Sequence, residues 1–166
     1  EARLEEEGAE LILNGVSVLG GKEQVHNFVR IHHEAPECVS HQHFKNVIND
    51  DGRSSFDGTV IVNPGAQLTS SEQLINNLML SNNGHADNKP NLMIFADDVK
   101  CTHGATIGQI DEEQMFYLQT RGLTRKAAKE LLTKGFAESI IQTIQFPEVI
   151  KELNSTLLKK LETKNV

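Results

Sequence analysis

The chain has 166 residues, 38% hydrophobic and 23% charged, which suits one globular domain with a buried core and excludes a disordered segment. Sixteen Lys and Arg stand against 23 Asp and Glu, a formal charge of -7. With no basic excess and aromatics at 5%, the chain lacks the means to neutralise a phosphate backbone, stack on bases or dock on anionic lipid.

From residue 10 to about residue 110, short extended runs alternate with Gly, Asn, Asp and Pro. The runs are Glu10-Leu11-Ile12-Leu13, Val25-His26-Asn27-Phe28-Val29-Arg30-Ile31, Thr59-Val60-Ile61-Val62 and Leu92-Met93-Ile94-Phe95. In the second, Val25, Asn27, Val29 and Ile31 share one face, and His26, Phe28, Arg30 and His32 share the other. Asn14-Gly15, Gly20-Gly21, Asp51-Gly52, Asp57-Gly58 and Pro64-Gly65 read as turns, because these residues accept a positive φ or preset one. Many short strands at fairly even spacing predict a sandwich, a barrel or a solenoid. No strict repeat can be read off, although strand, turn, strand is the rhythm of β-helix coils.

After Gly108 the period changes to that of helices. Asp111 reads as an N-cap with Glu112 and Glu113 in the first turn, followed by Met115, Tyr117 and Leu118. Gly122 ends that helix and Thr124 caps the next. Ala127, Ala128, Leu131 and Leu132 predict an apolar stripe that continues through Phe136, Ile140 and Ile144. Pro147 suits the first turn of a third helix carrying Val149, Ile150, Leu153, Leu157 and Leu161, with Lys159 and Lys160 near its end. The predicted layout is a β body over residues 1–110 and a helical module over residues 111–166.

Two cysteines, Cys38 and Cys101, allow one bridge at most and form no CxxC pair, which predicts a reducing compartment. No apolar run reaches the ~20 residues of a membrane helix, and no signal-peptide core opens the chain. Glu1-Ala2-Arg3, without Met, is read as the start of a piece of a longer protein.

Two constellations could carry chemistry. His41-Gln42-His43 sets two imidazoles on one strand face, and His32, His33 and Cys38 are close in sequence, which is material for a transition-metal site. The HxH pair resembles the cupin metal motif, but the Glu that motif needs is replaced by Phe44-Lys45-Asn46-Val47, and the first carboxylate is Asp50. Polar residues on a strand face are the simpler reading, with a metal-dependent cupin-like or β-helix enzyme as its competitor. In the second constellation, Cys101 and His103 alternate by two, so on a strand they project from one face. A thiolate beside an imidazolium would serve as nucleophile, soft-metal ligand or transient sulfur or iron carrier; a small buried Cys and a hydrogen-bonded His at a strand end is the alternative. No phosphate loop, dinucleotide fingerprint or GxSxG elbow is present, so any energy source belongs to a partner.

The run Phe95-Ala96-Asp97-Asp98-Val99-Lys100-Cys101-Thr102-His103-Gly104-Ala105-Thr106, joined to Phe116-Tyr117-Leu118 and Arg121-Gly122-Leu123, resembles the SufB/SufD scaffold family of iron–sulfur cluster assembly. Gln42-His43-Phe44-Lys45-Asn46-Val47-Ile48, Phe56-Asp57-Gly58 and Asn77-Leu78-Met79-Leu80-Ser81 are similar to the same family, so the likeness covers nearly the whole chain. Residues 81–86 lack the cysteine of the SufB branch, which puts the resemblance on the SufD side.

The resemblance implies a mainly β fold, the last coils of a right-handed parallel β-helix followed by a small helical module. It implies a scaffold rather than an enzyme, working with a SufC-type ATPase of the ABC class and a SufB-type subunit. Pairing with SufB would use the β-helix, and SufC would dock on the helices through Tyr117, Arg121, Gly122 and Leu123. His103 falls on the family's interface histidine, a candidate cluster and metal ligand, with Cys101 beside it. No cofactor is expected to be stably bound, only a transient iron–sulfur cluster at the SufB interface. An open strand edge would also allow a second copy to pair. A bacterial cytoplasm, or a plastid stroma, is the expected location.

Overall fold

The computed structural model describes residues 1–163, so the last three residues of the expected helical module lie outside it. Eight strands run β1 (Ala2–Leu4), β2 (Glu10–Leu19), β3 (Gln24–His33), β4 (Val39–Ile48), β5 (Arg53–Val62), β6 (Ser70–Met79), β7 (His85–Ile94) and β8 (Lys100–Gly108). Every pairing is parallel, and it joins residues one coil apart, Glu10 with Val39 or Arg53 with His85. Odd strands form one sheet, in the order β1-β3-β5-β7, and even strands the other, β2-β4-β6-β8. The chain thus winds as a two-walled parallel β-helix of about four coils. Period-two alternation decides which side chains face the lumen: Val25, Asn27, Val29, Ile31 and His33 turn inward on β3, as the sequence pattern expects for the first four.

The corners use the left-handed region. Gly8, Glu37 and Leu68 hold φ of 72°, 58° and 59° at successive turns of one corner, and Gly21 and Asp50 hold 60° and 52° at another. Backbone hydrogen bonds stack these corners, Glu37 N–H on Gln67 O and Leu68 N–H on Asp98 O. Gly20-Gly21, Asp51-Gly52 and Pro64-Gly65 lie at corners as expected.

Asn14-Gly15 and Asp57-Gly58 do not lie at turns: both pairs sit inside ten-residue strands, β2 and β5. Their glycines make room rather than a turn. A Cβ on Gly15 would stand 2.5 Å from the Phe44 ring, and one on Gly58 would stand 2.3 Å from the Phe56 ring. Those two rings pack in the lumen with centroids 4.9 Å apart, beside Ile75.

Three helices follow, α1 (Glu112–Thr120), α2 (Arg125–Ile141) and α3 (Pro147–Thr163). Asp111 caps α1 by accepting from the N–H groups of Glu113 and Gln114, and Thr124 caps α2 by accepting from Ala127. Gly122, at φ 93°, closes α1 in a Schellman arrangement: its N–H reaches Gln119 O and that of Leu123 reaches Leu118 O. The buried face of α2 is Ala128, Thr133, Ala137, Ile140 and Ile141; Leu131, expected in that stripe, is half exposed. Ala137 and Ile141, with Leu157 and Leu161 of α3, share one apolar cluster with Val18 and Val47 of the even sheet. The helices therefore pack on the outer face of the β-helix rather than apart from it. Lys45 reinforces this seam, over the Phe136 ring and donating to Ser139 Oγ.

Candidate functional site

The lumen-facing rows of the even sheet are polar at three levels. Parallel in-register pairing stacks like on like: Ser40 on Ser71, Gln42 on Gln73 and Asn46 on Asn77. The serine hydroxyls are 2.9 Å apart, Gln73 Nε2 donates to Gln42 Oε1 at 3.3 Å, and Asn46 Nδ2 donates to Asn77 Oδ1 at 2.9 Å. These side chains are fully buried, so the rungs must satisfy each other or stay unsatisfied. Ser17 extends the asparagine row at one end, and Asn88 and the Thr106 carbonyl extend it at the other.

The last coil ends these rows with different chemistry. In register, Cys101 follows Ser71 and His103 follows Gln73. Strand β8 thus brings the two sequence-selected residues to the same lumen-facing side of one coil, two residues apart. Their exposure differs. Cys101 is half-buried against Val60, Val62, Ala66 and Ala96, whereas His103 is exposed because no coil follows β7 and β8 among the described residues. Burial pushes the Cys101 thiol above its usual range, opposed by a smaller effect of the Ser71 backbone N–H. Burial thus favours the thiol form of Cys101 over the thiolate.

The edges of β7 and β8 are the open end of the solenoid. Pro90 lies in β7, where an unpaired edge tolerates a residue without N–H. Ile94, Phe95 and Ile107 are exposed there.

The histidine cluster on β3 and β4 does not assemble. His33 faces the lumen, fully buried, with Nε2 2.8 Å from Ser40 Oγ, and burial lowers its pKa. His41 and His43 face outward from the opposite wall: His41 lies 3.4 Å from Glu72, and His43 Nε2 is 2.7 Å from Asn76 Oδ1. His32 points to Glu1 at 3.2 Å. A sheet wall separates His33 from the HxH pair, so the three cannot share an ion, and strand-face residues is the reading that holds. Among the described residues no group of three His, Cys, Asp or Glu is placed to hold a metal.

On the helical side, Tyr117 is exposed and the Arg121 guanidinium stacks 5.1 Å from its ring centre, one turn from Gly122 and Leu123. Phe116 is exposed next to it. Arg125 clamps Glu112 through two hydrogen bonds, 2.8 and 3.2 Å, which ties the start of α2 to the start of α1 and holds the Glu112 carboxyl below its usual range. Tyr117, Arg121, Gly122 and Leu123 thus lie together at the α1–α2 joint.

The chain is thus a two-walled parallel β-helix whose polar lumen opens beside a histidine, with helices folded on its flank. The SufBD core domain model of the SUF system for FeS cluster assembly matches residues 1–136, and the chain belongs to this family. It is 34% identical over 143 residues to the iron–sulfur cluster assembly protein SufD of Escherichia coli, covering 86% of this chain and 34% of that protein. A SufBD family protein of Synechocystis is 36% identical over 142 residues, 84% of this chain and 31% of its own length. The Arabidopsis thaliana protein ABCI7, chloroplastic, is 41% identical over 113 residues, 68% and 23%. The chain spans about a third of the first two relatives. No described helix is long and apolar enough to cross a membrane.

What sequence reasoning missed is the polar lumen. Ser40, Gln42 and Asn46 recur 31 residues later as Ser71, Gln73 and Asn77, a repeat that was present in the sequence. Reading only apolar alternation hid it, because the lumen face of these strands is partly polar.

Proposed function

We propose that this chain is a non-enzymatic scaffold subunit of a SufBCD-type complex, in which the open β-helix end pairs with a SufB-type subunit and the α1–α2 joint docks a SufC-type ATPase. The observation that carries the reading is His103, exposed at the end of a buried polar row and bordered by strand edges with free hydrogen-bonding groups. An incoming strand would satisfy those groups and cover Phe95, Ile94 and Ile107.

The iron–sulfur cluster is cargo at that junction. Iron in such clusters is held by several thiolate or imidazole ligands. On the open coil this chain offers two exposed imidazoles, His103 on β8 and His85 at the start of β7, and one shielded thiol, Cys101; His103 is the one that ends the polar row, so the remaining ligands come from the partner. No stably bound cofactor is required of the chain alone, and ATP-driven motion enters through SufC. Tyr117, Arg121, Gly122 and Leu123 form the docking surface. The cytoplasm of a bacterium, or a plastid stroma, suits a chain whose relatives are bacterial and chloroplast proteins.

The test is co-elution of the chain with SufC-type and SufB-type proteins on size exclusion with mass detection, together with cluster reconstitution. His103→Ala should keep both partners and lose cluster assembly; assembly at the normal level ends the ligand role. Tyr117→Ala with Arg121→Ala should release SufC alone, and retained SufC binding refutes the docking surface. These point changes are preferable to removing residues 124–166, because that deletion would strip Val18 and Val47 of their helical cover.

A further inference from the structure

The amide row has an unfinished end. Gln73 gives its Nε2 to Gln42 on the coil before, which leaves Oε1 for the rung after. That oxygen is buried and has no hydrogen-bond partner among the described residues. Gln73 itself is fully buried, and its amide occupies the space that Gly58 leaves open, where a Cβ would lie 2.5 Å from Nε2. The amide is therefore held away from solvent, with Gln42 as its partner. An unsatisfied buried carbonyl is costly, and it calls for a donor.

The residue in register on the next rung is His103. Adjacent strands lie ~4.8 Å apart, a separation that an amide and an imidazole bridge with one hydrogen bond. An imidazole is the one side chain that can donate to the row with one ring nitrogen while offering a lone pair outward with the other.

Resting on the reading of His103 as a cluster ligand, we infer that Gln73 is the positioning residue of the site. Its Oε1, unpartnered among the described residues, is the acceptor toward which the His103 ring turns: it takes the N–H of one ring nitrogen and so selects a single tautomer with the other nitrogen's lone pair facing the open end. Second-partner hydrogen bonds of this kind set which nitrogen of a histidine is free to ligate. The fully buried lumen then has a purpose at its last rung: the buried amide row sets the direction of the ligand that ends it.

The experiment is nitrogen NMR of the 166-residue chain with labelled histidine, at about pH 9, above the ordinary histidine range. The His103 signals are identified by their loss in His103→Ala. The ratio of the two tautomers should differ by about fivefold from that of an unbonded histidine, the factor that one net hydrogen bond supplies. Gln73→Leu should return the ratio to that of an unbonded histidine, in which Nε2–H is the favoured form. Gln73→Glu, which keeps an acceptor and can receive the free Gln42 Nε2, should retain the difference. Gln42→Leu disturbs the same row without touching the acceptor, and should also retain it.

A wild-type ratio equal to that of an unbonded histidine overturns the inference, as does a ratio unchanged in Gln73→Leu. Equal loss in Gln42→Leu also overturns it, since that would mark general loosening. If Gln73→Leu fails to fold, the wild-type ratio and Gln73→Glu decide. No cluster is present in this measurement, so its failure leaves the ligand role to the His103→Ala assembly assay, and normal assembly there removes the ligand role whatever the tautomer.

Discussion

Gly58→Ala is the sharpest probe of the lumen. The new methyl carbon would stand 2.3 Å from Phe56 Cε1, 2.6 Å from Phe56 Cζ and 2.5 Å from Gln73 Nε2. Neither neighbour can step aside into solvent, since Phe56 is 1% and Gln73 0% exposed. Overpacking of this kind costs about 1–3 kcal/mol. Displacing Gln73 also weakens its bond to Gln42, for about 1 kcal/mol more. Against this, replacing a strand-interior glycine recovers about 0.5–1 kcal/mol of chain entropy. The net expectation is destabilisation by about 1–3 kcal/mol, read as a lower urea midpoint at unchanged slope. Gly135→Ala supplies the control: it lies in α2 with no atom within 4 Å of the added carbon, so it should stabilise by up to ~1 kcal/mol. If Gly58→Ala is as stable as the wild type while Gly135→Ala stabilises, the close-approach account of the strand glycines is wrong.

Two further outcomes follow from the corners and the lumen. Glu37 is exposed and holds φ 58°, a conformation that costs a side-chain-bearing residue ~1–2 kcal/mol, so Glu37→Gly should stabilise by about 0.5–1 kcal/mol after the added chain entropy. Chemical denaturation showing a loss would mean that the corner is not strained at this residue. Burial lowers the folded pKa of His33, so its contribution is fully present above the unfolded value of about 6.5 and is lost as pH falls through that value toward the folded one. Wild-type stability should therefore fall below pH 6.5 by at most ~1.4 kcal/mol per pH unit relative to His33→Gln, and a constant difference between the two from pH 8 to pH 5 would sink this.

The helical half was legible in detail because its signals are local. Asp111 and Thr124 cap through their own side chains, and Gly122 takes the positive φ that closes α1, all within four residues of sequence. Which face of α2 is buried was less local: Leu131 is as apolar as Ile140, yet the position of Val18 and Val47 on the sheet decides that Ala137 and Ile141 go inward. The strand glycines were misjudged for a related reason. Asn14-Gly15 and Asp57-Gly58 have turn chemistry, and only the ring lying over each glycine from a neighbouring or same-strand phenylalanine explains why they stay extended.

The chain by itself determined the strand rhythm, the helix boundaries, and the spacing that sets Cys101 and His103 on one face, since all of these follow from periods of two and 3.6 and from caps. Tertiary structure alone decided that His33 and His41 lie on opposite sides of a wall, that Cys101 is shielded while His103 is exposed, and that Gln73 ends a row with a free carbonyl. Those facts depend on parallel pairing between residues about thirty apart, where each coil inherits its environment from the coil beneath it.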